Sequence, residues 1–279
     1  MLKYSNCKVC SGDTKIINET YQLIECNHCS LIFSENIFSQ DEFVKVYDEL
    51  YNRADSSYQR HSKDEFEKLK DGDVQIGKNR SGLVNRNIIK NNNCKSVLEI
   101  GSGIGLVGSY IKLKAPLIVY KGIELDTEAY LKSKSLGLDT FNGDFQIISK
   151  FDETFDVIML WEVIEPLQDL NLFLELAYSK LNKGGIIILS TPNYDKIYNY
   201  PERDKDALYQ NEPPIHLNFF TKRNINAIFK MKGFSSIEVR EKKFPYLEKN
   251  IIRFTKNYIK ALLGKYNGLT LYLVAQKKE

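Results

Sequence analysis

Two Cys-x2-Cys pairs, Cys7/Cys10 and Cys26/Cys29, stand fifteen residues apart near the start of the 279-residue chain. Each pair forms a tight knuckle that aims two thiolates at one ion, and two knuckles complete the tetrahedral set of a structural zinc site. Two disulfides are the alternative for the same four residues, and a redox-active CxxC is a further one. Neither pair opens a helix after a strand, which disfavours the redox reading. The polar start "MLKYSNCKVC" has no apolar h-region, so no secretory signal is visible and a reducing, cytoplasmic setting is expected. His28, inside the second knuckle, is either a substitute ligand or an exposed knuckle residue. Cys94 reads as a small buried residue rather than a nucleophile.

A second group of residues points to a small-molecule site. "SVLEIGSGIG" is a β-branched strand carrying Glu99, followed by a turn with Gly101, Gly103 and Gly105. Glycine permits a tight turn and a close backbone approach to a ligand. A dinucleotide fingerprint needs a sixth-position glycine where Leu106 stands, so a ligand without a pyrophosphate fits better. The next strand, "LIVYKGIELD", ends in Glu124, placed to accept from both hydroxyls of a ribose. "NGDFQ" follows the third strand; Asp144 suits an adenine exocyclic amine and Phe145 the face of the base. The fourth strand, "FDVIML", delivers Trp161 and Glu162 to the same edge. In open α/β sheets ligands bind beyond the strand C-termini, where all four acidic positions converge. For any one carboxylate, a solvated loop or a helix N-cap is the ordinary reading.

These side chains need a frame. From residue 96 strands and helices alternate, which predicts a parallel sheet covered on both faces. Strands are expected at 96–100, 117–124, 138–142, 155–160 and 184–190, with helices at about 104–114, 127–136 and 169–181. Ahead of this α/β domain (91–279), residues 1–36 read as a zinc ribbon with β-rich runs and a third strand in "SLIFSENIF". Residues 37–90 read as a helical connector. It places Phe43, Val46, Tyr47 and Leu50 at helical spacing, runs through a solvated helix ending near Gly72, and closes with a helix stopped by "NNN". Tyr58 and His61 there are candidates to close over the site. The polar stretch 191–220 is long for a connection and reads as a lid or substrate segment. Beyond it lie helix "TKRNINAIFKMKGF", strand "SSIEVREKK", a basic amphipathic helix "NIIRFTKNYIKALLGK" and strand "LTLYLVAQKK". The ordinary role of that basic helix is packing on the sheet, with membrane contact the alternative. Net charge is +3, too mild for a duplex-binding surface. Apolar runs such as 185–189 fall far short of the roughly 18 residues of a membrane span.

The order "VLEIGSGIG … YKGIELD … GDF … FDVIMLWEVIEPLQD … LNKGGIIILSTPN" resembles class I S-adenosylmethionine-dependent methyltransferases. The segment "PPIHLNFFTKRNINAIFKMKGF" is similar to one subgroup, which includes ubiquinone-pathway O-methyltransferases and deoxysugar methyltransferases. Many members with glycan or natural-product substrates carry an N-terminal four-cysteine zinc ribbon. The resemblance implies a Rossmann-like, seven-stranded, mostly parallel sheet whose last strand is antiparallel. It implies S-adenosylmethionine held by Glu99, Gly101, Ser102, Gly103, Gly105, Glu124, Leu125, Asp144, Phe145, Leu160 and Trp161.

Methyl transfer from a sulfonium needs an aligned acceptor, exclusion of water and, for a hydroxyl, removal of a proton. His216 is the candidate base, with Glu162 a second catalytic candidate; a histidine that only hydrogen-bonds backbone in a Pro-rich turn is the plain alternative. Some ubiquinone-pathway relatives carry E-x-x-E-H, a cluster able to hold a divalent metal. Here Glu162 and Glu165 are followed by Pro166, which also suits the first turn of a helix. The expected acceptor is a hydroxyl of a sugar, nucleotide-sugar or surface glycan, in polysaccharide or natural-product assembly. An RNA base methyltransferase with a zinc-ribbon module is the alternative, and a non-catalytic cofactor-binding scaffold a third reading.

Overall fold

The computed structural model describes residues 2–39, 41–43, 45, 57–199, 213, 215–247 and 250–278. Val46, Tyr47, Leu50 and the side chains of Tyr58 and His61 lie outside this part, as does most of the middle of the 191–220 segment.

The N-terminal strands are β1 (Leu2–Lys3), β2 (Thr14–Asn18), β3 (Leu23–Cys26), β4 (Ile32–Ser34) and β5 (Asn36–Ile37). Among the described residues, 41–43 and 45 are helical, and the connector continues with α1 (Ser57–Lys70) and α2 (Lys78–Val84), the latter passing into a π-helical turn over Asn85–Ile89. The α/β part then runs β6 (Ser96–Ile100), α3 (Leu106–Lys114), β7 (Val119–Glu124), α4 (Thr127–Ser135), β8 (Thr140–Asn142), β9 (Phe155–Trp161), α5 (Leu170–Lys180) and β10 (Leu181–Pro192). The remainder is β11 (Asn218–Phe219), α6 (Lys222–Met231), β12 (Phe234–Glu241), α7 (Ile251–Leu262) and β13 (Thr270–Lys277).

Seven strands form the main sheet in the order β12-β13-β10-β9-β6-β7-β8. β13 runs antiparallel to both neighbours, while β10, β9, β6, β7 and β8 pair in parallel. The expected strands and helices are present with shifted ends; the fifth starts earlier, at Leu181, because an irregularity before Ile186 keeps it paired with β9.

Alternation along the central strands sorts their side chains into two cores. Leu98, Ile100, Ile158, Leu160, Ile187 and Leu189 face α5, α6 and the N-terminal strands. Val97, Val157, Met159, Trp161 and Ile188 face α2 and α3. With both faces covered, polar chemistry is left to the strand ends. Ile100, Ile123 and Leu160 lie in register, so the residues just past them share one edge.

The third ribbon strand expected from the sequence is present as β4, and a fourth joins it. β11, from the far end of the 191–220 segment, pairs antiparallel with β4, giving a sheet ordered β11-β4-β3-β2. Asn218 Nδ2 donates to the carbonyls of Ile164 (3.1 Å), Glu165 (2.9 Å) and Leu167 (2.8 Å). Asn224 Nδ2 similarly reaches Ser30 O and Phe219 O. Gln168 exchanges hydrogen bonds with the Phe38 backbone, and Lys8 Nζ donates to Leu167 O. The four-cysteine region is thus fastened to the loop that follows β9.

Helix α7 departs from its expected packing. Among its residues Asn257 alone is buried, while Ile251, Ile252, Ile259 and Leu262 are exposed. Its amphipathic pattern is real, but its apolar side faces away from the sheet.

Replacing Asn218 by Ala removes an amide shared by three carbonyls; Glu165 O and Leu167 O keep other donors, and Ile164 O loses its side-chain partner. The expected loss is about 2–4 kcal/mol of unfolding free energy, measured by urea denaturation. A loss below a few tenths would show that the turn holds without the clamp.

Candidate functional site

At the end of β6 the chain turns through Gly101 (φ 68°), Gly103 (φ 54°) and Gly105 (φ 88°). The three glycines serve different ends. A Cβ at Gly101 would meet Val163 Cγ2 at 2.5 Å, and one at Gly105 would meet Leu138 Cδ1 at 2.4 Å. Those two are required by packing as well as by backbone conformation. At Gly103 a Cβ would meet nothing within 4 Å, so its Cα faces open space. That open face leaves room for a ligand to come close. The turn is tied to β7 by Gly101 and Ser102, whose N–H groups both donate to Ile123 O.

Glu124, ending β7, accepts from Gly103 N at 2.7 Å through Oε2 and from Asp126 N at 2.9 Å through Oε1. Its carboxylate therefore fixes the glycine turn and the entry to α4. Burial raises its pKa, against the pull of the same backbone donors. Leu125 is exposed beside it. Glu99 lies deeper, buried beneath the turn, and accepts from the Tyr120 hydroxyl at 2.6 Å. Desolvation pushes its pKa to about 8, with Tyr120, Arg80 and the Trp161 indole pulling the other way. Ser102 is buried. Asp144 is exposed and caps a short 3-10 turn by accepting from Gln146 N at 2.9 Å. Phe145 points inward, edge-on to Phe173 with ring centroids 5.6 Å apart. Its ring is part of the core on the α5 side, not an open face beside Asp144.

β9 supplies the opposite wall. Leu160 is fully buried, and Trp161 packs under the Arg80 guanidinium, 5.2 Å from the ring centroid. Alternation ends at Glu162, whose φ of 57° swings the chain off the strand while its N–H still donates to Ser190 O. Its side chain reaches solvent, yet the crowding around it raises its pKa against the pull of Ser190, Arg80 and Lys196.

Glu165 is different: it is 2% exposed, and burial together with the Glu162 charge pushes its pKa to about 8. The Thr191 hydroxyl is near enough to favour the carboxylate but is not in hydrogen-bonding geometry, and no described residue reaches Oε1. Pro166 does not open a helix. α5 begins at Leu170 with Asp169 as its cap, and the turn holding Pro166 is fixed by Asn218 instead.

His216 sits two residues before β11, and between them Leu217 N donates to Glu165 O at 3.0 Å. Burial, and secondarily the Lys196 charge, lower its pKa to about 4, so the imidazole is neutral at physiological pH. The chain thus brings Glu162 and Glu165 together just past β9, with the backbone that follows His216 bonded to the Glu165 turn.

On the other side of the ribbon junction, the sulfurs of Cys7, Cys10, Cys26 and Cys29 all lie within 4.8 Å of one another. Cys7–Cys29 and Cys10–Cys26 are 3.6 and 3.4 Å apart, and all four are free thiols. Tetrahedral coordination at ordinary zinc–sulfur lengths needs sulfurs about 3.8 Å apart. The set fits one ion. The N–H groups of His28 and Cys29 donate to Cys26 Sγ, the sulfur-directed bonding expected of a knuckle. The Cys7 thiol is drawn down to about 5 by its hydrogen bond with Cys29, whose own pKa is pushed up. Among the described residues this is the only convergence of three or more such ligand groups.

A family model described as a methyltransferase domain matches residues 74–239, more than half of the chain. The chain belongs to this methyltransferase family. It is 29% identical over 140 residues to a probable S-adenosylmethionine-dependent methyltransferase of Mycolicibacterium smegmatis, covering 50% of this chain and 52% of that one. It is 29% identical over 101 residues to a ubiquinone biosynthesis O-methyltransferase of Azorhizobium caulinodans, covering 35% and 40%. The chain thus spans about half the length, or less, of the curated relatives it matches. Among solved structures, a SAM-dependent methyltransferase from Archaeoglobus fulgidus superposes with a TM-score of 0.52 at 18% identity, over 75% of this chain and 98% of that one. A plantazolicin methyltransferase in complex with SAH gives 0.51 at 16%, over 87% and 92%. At these identities the likeness is one of fold.

Three contributors to the candidate site carry no local sequence signal: Arg80 over Trp161, Tyr120 on Glu99, and Asn218 beneath the Glu165 turn. Arg80 is 81 residues from the ring it covers, and nothing in "GKNRSG" announces the contact. The "HLNF" asparagine is equally silent.

The two buried carboxyls set a pH dependence. Glu99 and Glu165 have folded pKa values near 8, above the unfolded value of 4.5. The unfolded chain therefore releases these protons first, and stability falls as pH rises from about 4.5 to 8. Glu165→Gln should come close to the parent near pH 5 and gain on it by about 4 kcal/mol by pH 9. Thermal unfolding across that range measures it, and parallel curves would rule it out.

Proposed function

We propose that this protein is an S-adenosylmethionine-dependent methyltransferase acting on a hydroxyl of a small-molecule acceptor, with a sugar, nucleotide-sugar or glycan hydroxyl as the preferred class. The observation that carries the reading is the open Cα face of Gly103, held by Glu124 at the edge shared with Trp161 and Glu162. When bound, the cofactor supplies a methyl group already activated by its attachment to a positive sulfur.

The residues divide the remaining tasks. Gly101, Ser102, Gly103 and Gly105 form a turn that a ligand can approach closely. Glu124 has lone pairs left for ribose hydroxyls after accepting two backbone N–H groups. Asp144 is exposed to an adenine amine, with Leu125 alongside. Glu99 and Phe145 act from beneath: the former braces β6 against Tyr120, the latter backs the loop after β8 through Phe173. Leu160 and Trp161 form the wall of the site, with Arg80 fixing the indole.

His216 is neutral at physiological pH and is available to take the acceptor's proton as its oxygen gains the methyl. Glu162, solvent-facing just past β9, orients that acceptor. We assign the four cysteines to a structural zinc ion that holds the ribbon together, as small metal-bearing units require. On this reading residues 1–36 form the ribbon, 37–90 the connector and 91–279 the methyltransferase domain.

Gly103→Val and Glu124→Ala should each abolish S-adenosylmethionine binding by calorimetry; unchanged affinity in both would remove the cofactor assignment. His216→Ala should lower turnover by about 10²–10⁴-fold with cofactor affinity intact. In the parent, the acid limb of the rate profile should follow the His216 value near pH 4 rather than the ordinary 6.5. Normal turnover in the alanine variant would place the base elsewhere. Metal analysis should return one zinc per chain, lost in Cys7→Ser/Cys10→Ser. A metal-free parent that keeps its ribbon would defeat the zinc assignment.

A further inference from the structure

The segment from Lys242 to Lys265 stands apart in charge and in exposed apolar surface. It holds seven Lys or Arg against one Glu, a surplus of six in a chain whose whole surplus is three. The rest of the protein is therefore net negative. Of the nineteen large apolar residues left exposed among the described residues, nine fall between Phe244 and Leu263.

α7 organises these groups. Stepping 100° per residue, Ile251, Ile252, Tyr258, Ile259, Leu262 and Leu263 fall within an arc of about 140°. Arg253, Lys256 and Lys260 occupy the adjoining arc. Asn257, buried, with half-buried Phe254 and Ala261, turns the third side to the protein. Leu247, ahead of the helix, is 86% exposed and Ile251 is 74% exposed. A helix serving the core would present this apolar arc inward.

The ends of the segment fix where it lies. Glu241 pairs with Leu271, and Thr270 pairs with Pro192 at the end of β10. Asn193 Nδ2 donates to both Glu241 Oε2 and Gly268 O at 2.8 Å, closing the base of the excursion. The segment thus leaves and returns at the sheet edge where β9 delivers Glu162.

We propose that α7 docks the protein on an anionic lipid bilayer, with the catalytic edge turned toward the membrane. Apolar side chains enter the acyl boundary, and the flanking Arg253, Lys256 and Lys260 stay level with the anionic headgroups while their stems cover the apolar arc. The sign of the charge selects the occupant: six surplus positive charges beside a convex apolar helix complement a negatively charged, planar, deformable surface. The catalytic-edge clause rests on the methyltransferase reading; the docking itself does not.

Flotation with phosphatidylglycerol–phosphatidylcholine vesicles and with phosphatidylcholine alone tests it, using the full chain. The parent should bind the mixed vesicles, more weakly at high salt, and bind neutral vesicles poorly. Ile252→Glu/Ile259→Glu and Lys256→Gln/Lys260→Gln should each weaken binding about tenfold or more, with unchanged circular dichroism and S-adenosylmethionine affinity. Three results would overturn the proposal: no binding of the parent to mixed vesicles, equal binding to neutral ones, or unchanged binding of both variants. Sedimentation gives a fourth: a dimer abolished by Ile252→Glu/Ile259→Glu, with no vesicle binding, would make a second copy the occupant. Cofactor affinity is read separately, so loss of the methyltransferase reading would leave the vesicle result standing.

Discussion

Coverage on both faces is the constraint from which the remaining architecture follows. β6, β9 and β10 pair in parallel, and their alternating apolar side chains enter two separate cores. Such strands have no wet face, so polar groups gather where the chain leaves the sheet. Departure occurs through backbone that few residues adopt: Gly101, Gly103 and Gly105 after β6, and Glu162 after β9. The positive φ at Glu162 is the one case without glycine's freedom, and strain of this kind persists where surrounding structure holds it. Here Ser190 O holds it from β10. The same edge carries two carboxyls whose burial keeps them largely protonated at neutral pH, Glu99 and Glu165. A neutral carboxyl can donate a hydrogen bond, an option closed to exposed glutamates.

Much of this frame was legible in the residues. Strands buried on both faces read as continuous β-branched runs, and glycine or asparagine marks most of their ends, so element order and the shared edge followed directly. The cysteine spacing predicted the convergence of four sulfurs. Contacts between residues far apart in sequence were illegible. A two-residue strand such as β11 has too little pattern to recognise, and the clamp made by Asn218 has no local signature. The "GDF" triplet located a strand end correctly but not the direction of the ring; Phe145 turns to Phe173 because that side offers an apolar neighbour. For α7, periodicity revealed an apolar face without saying what covers it.

Glu165 and Pro166 show how one loop serves several neighbours. Proline removes a backbone donor and disfavours helix in the residue before it, and α5 waits until Leu170. The carbonyls of Ile164, Glu165 and Leu167, on either side of the proline, are taken by Asn218, the first residue of β11. The loop that walls the candidate site is thus held from the same short strand that completes the cysteine-bearing sheet.

That shared strand has a consequence for how the molecule is made. Translation delivers β2, β3 and β4 early, but their fourth partner lies 184 residues after the end of β4. At typical synthesis rates the edge of β4 waits on the order of 10–40 s before β11 exists. An unpaired strand edge is a template for wrong partners, so the nascent N-terminal sheet passes through a period of exposure that ends only when the methyltransferase part closes over it.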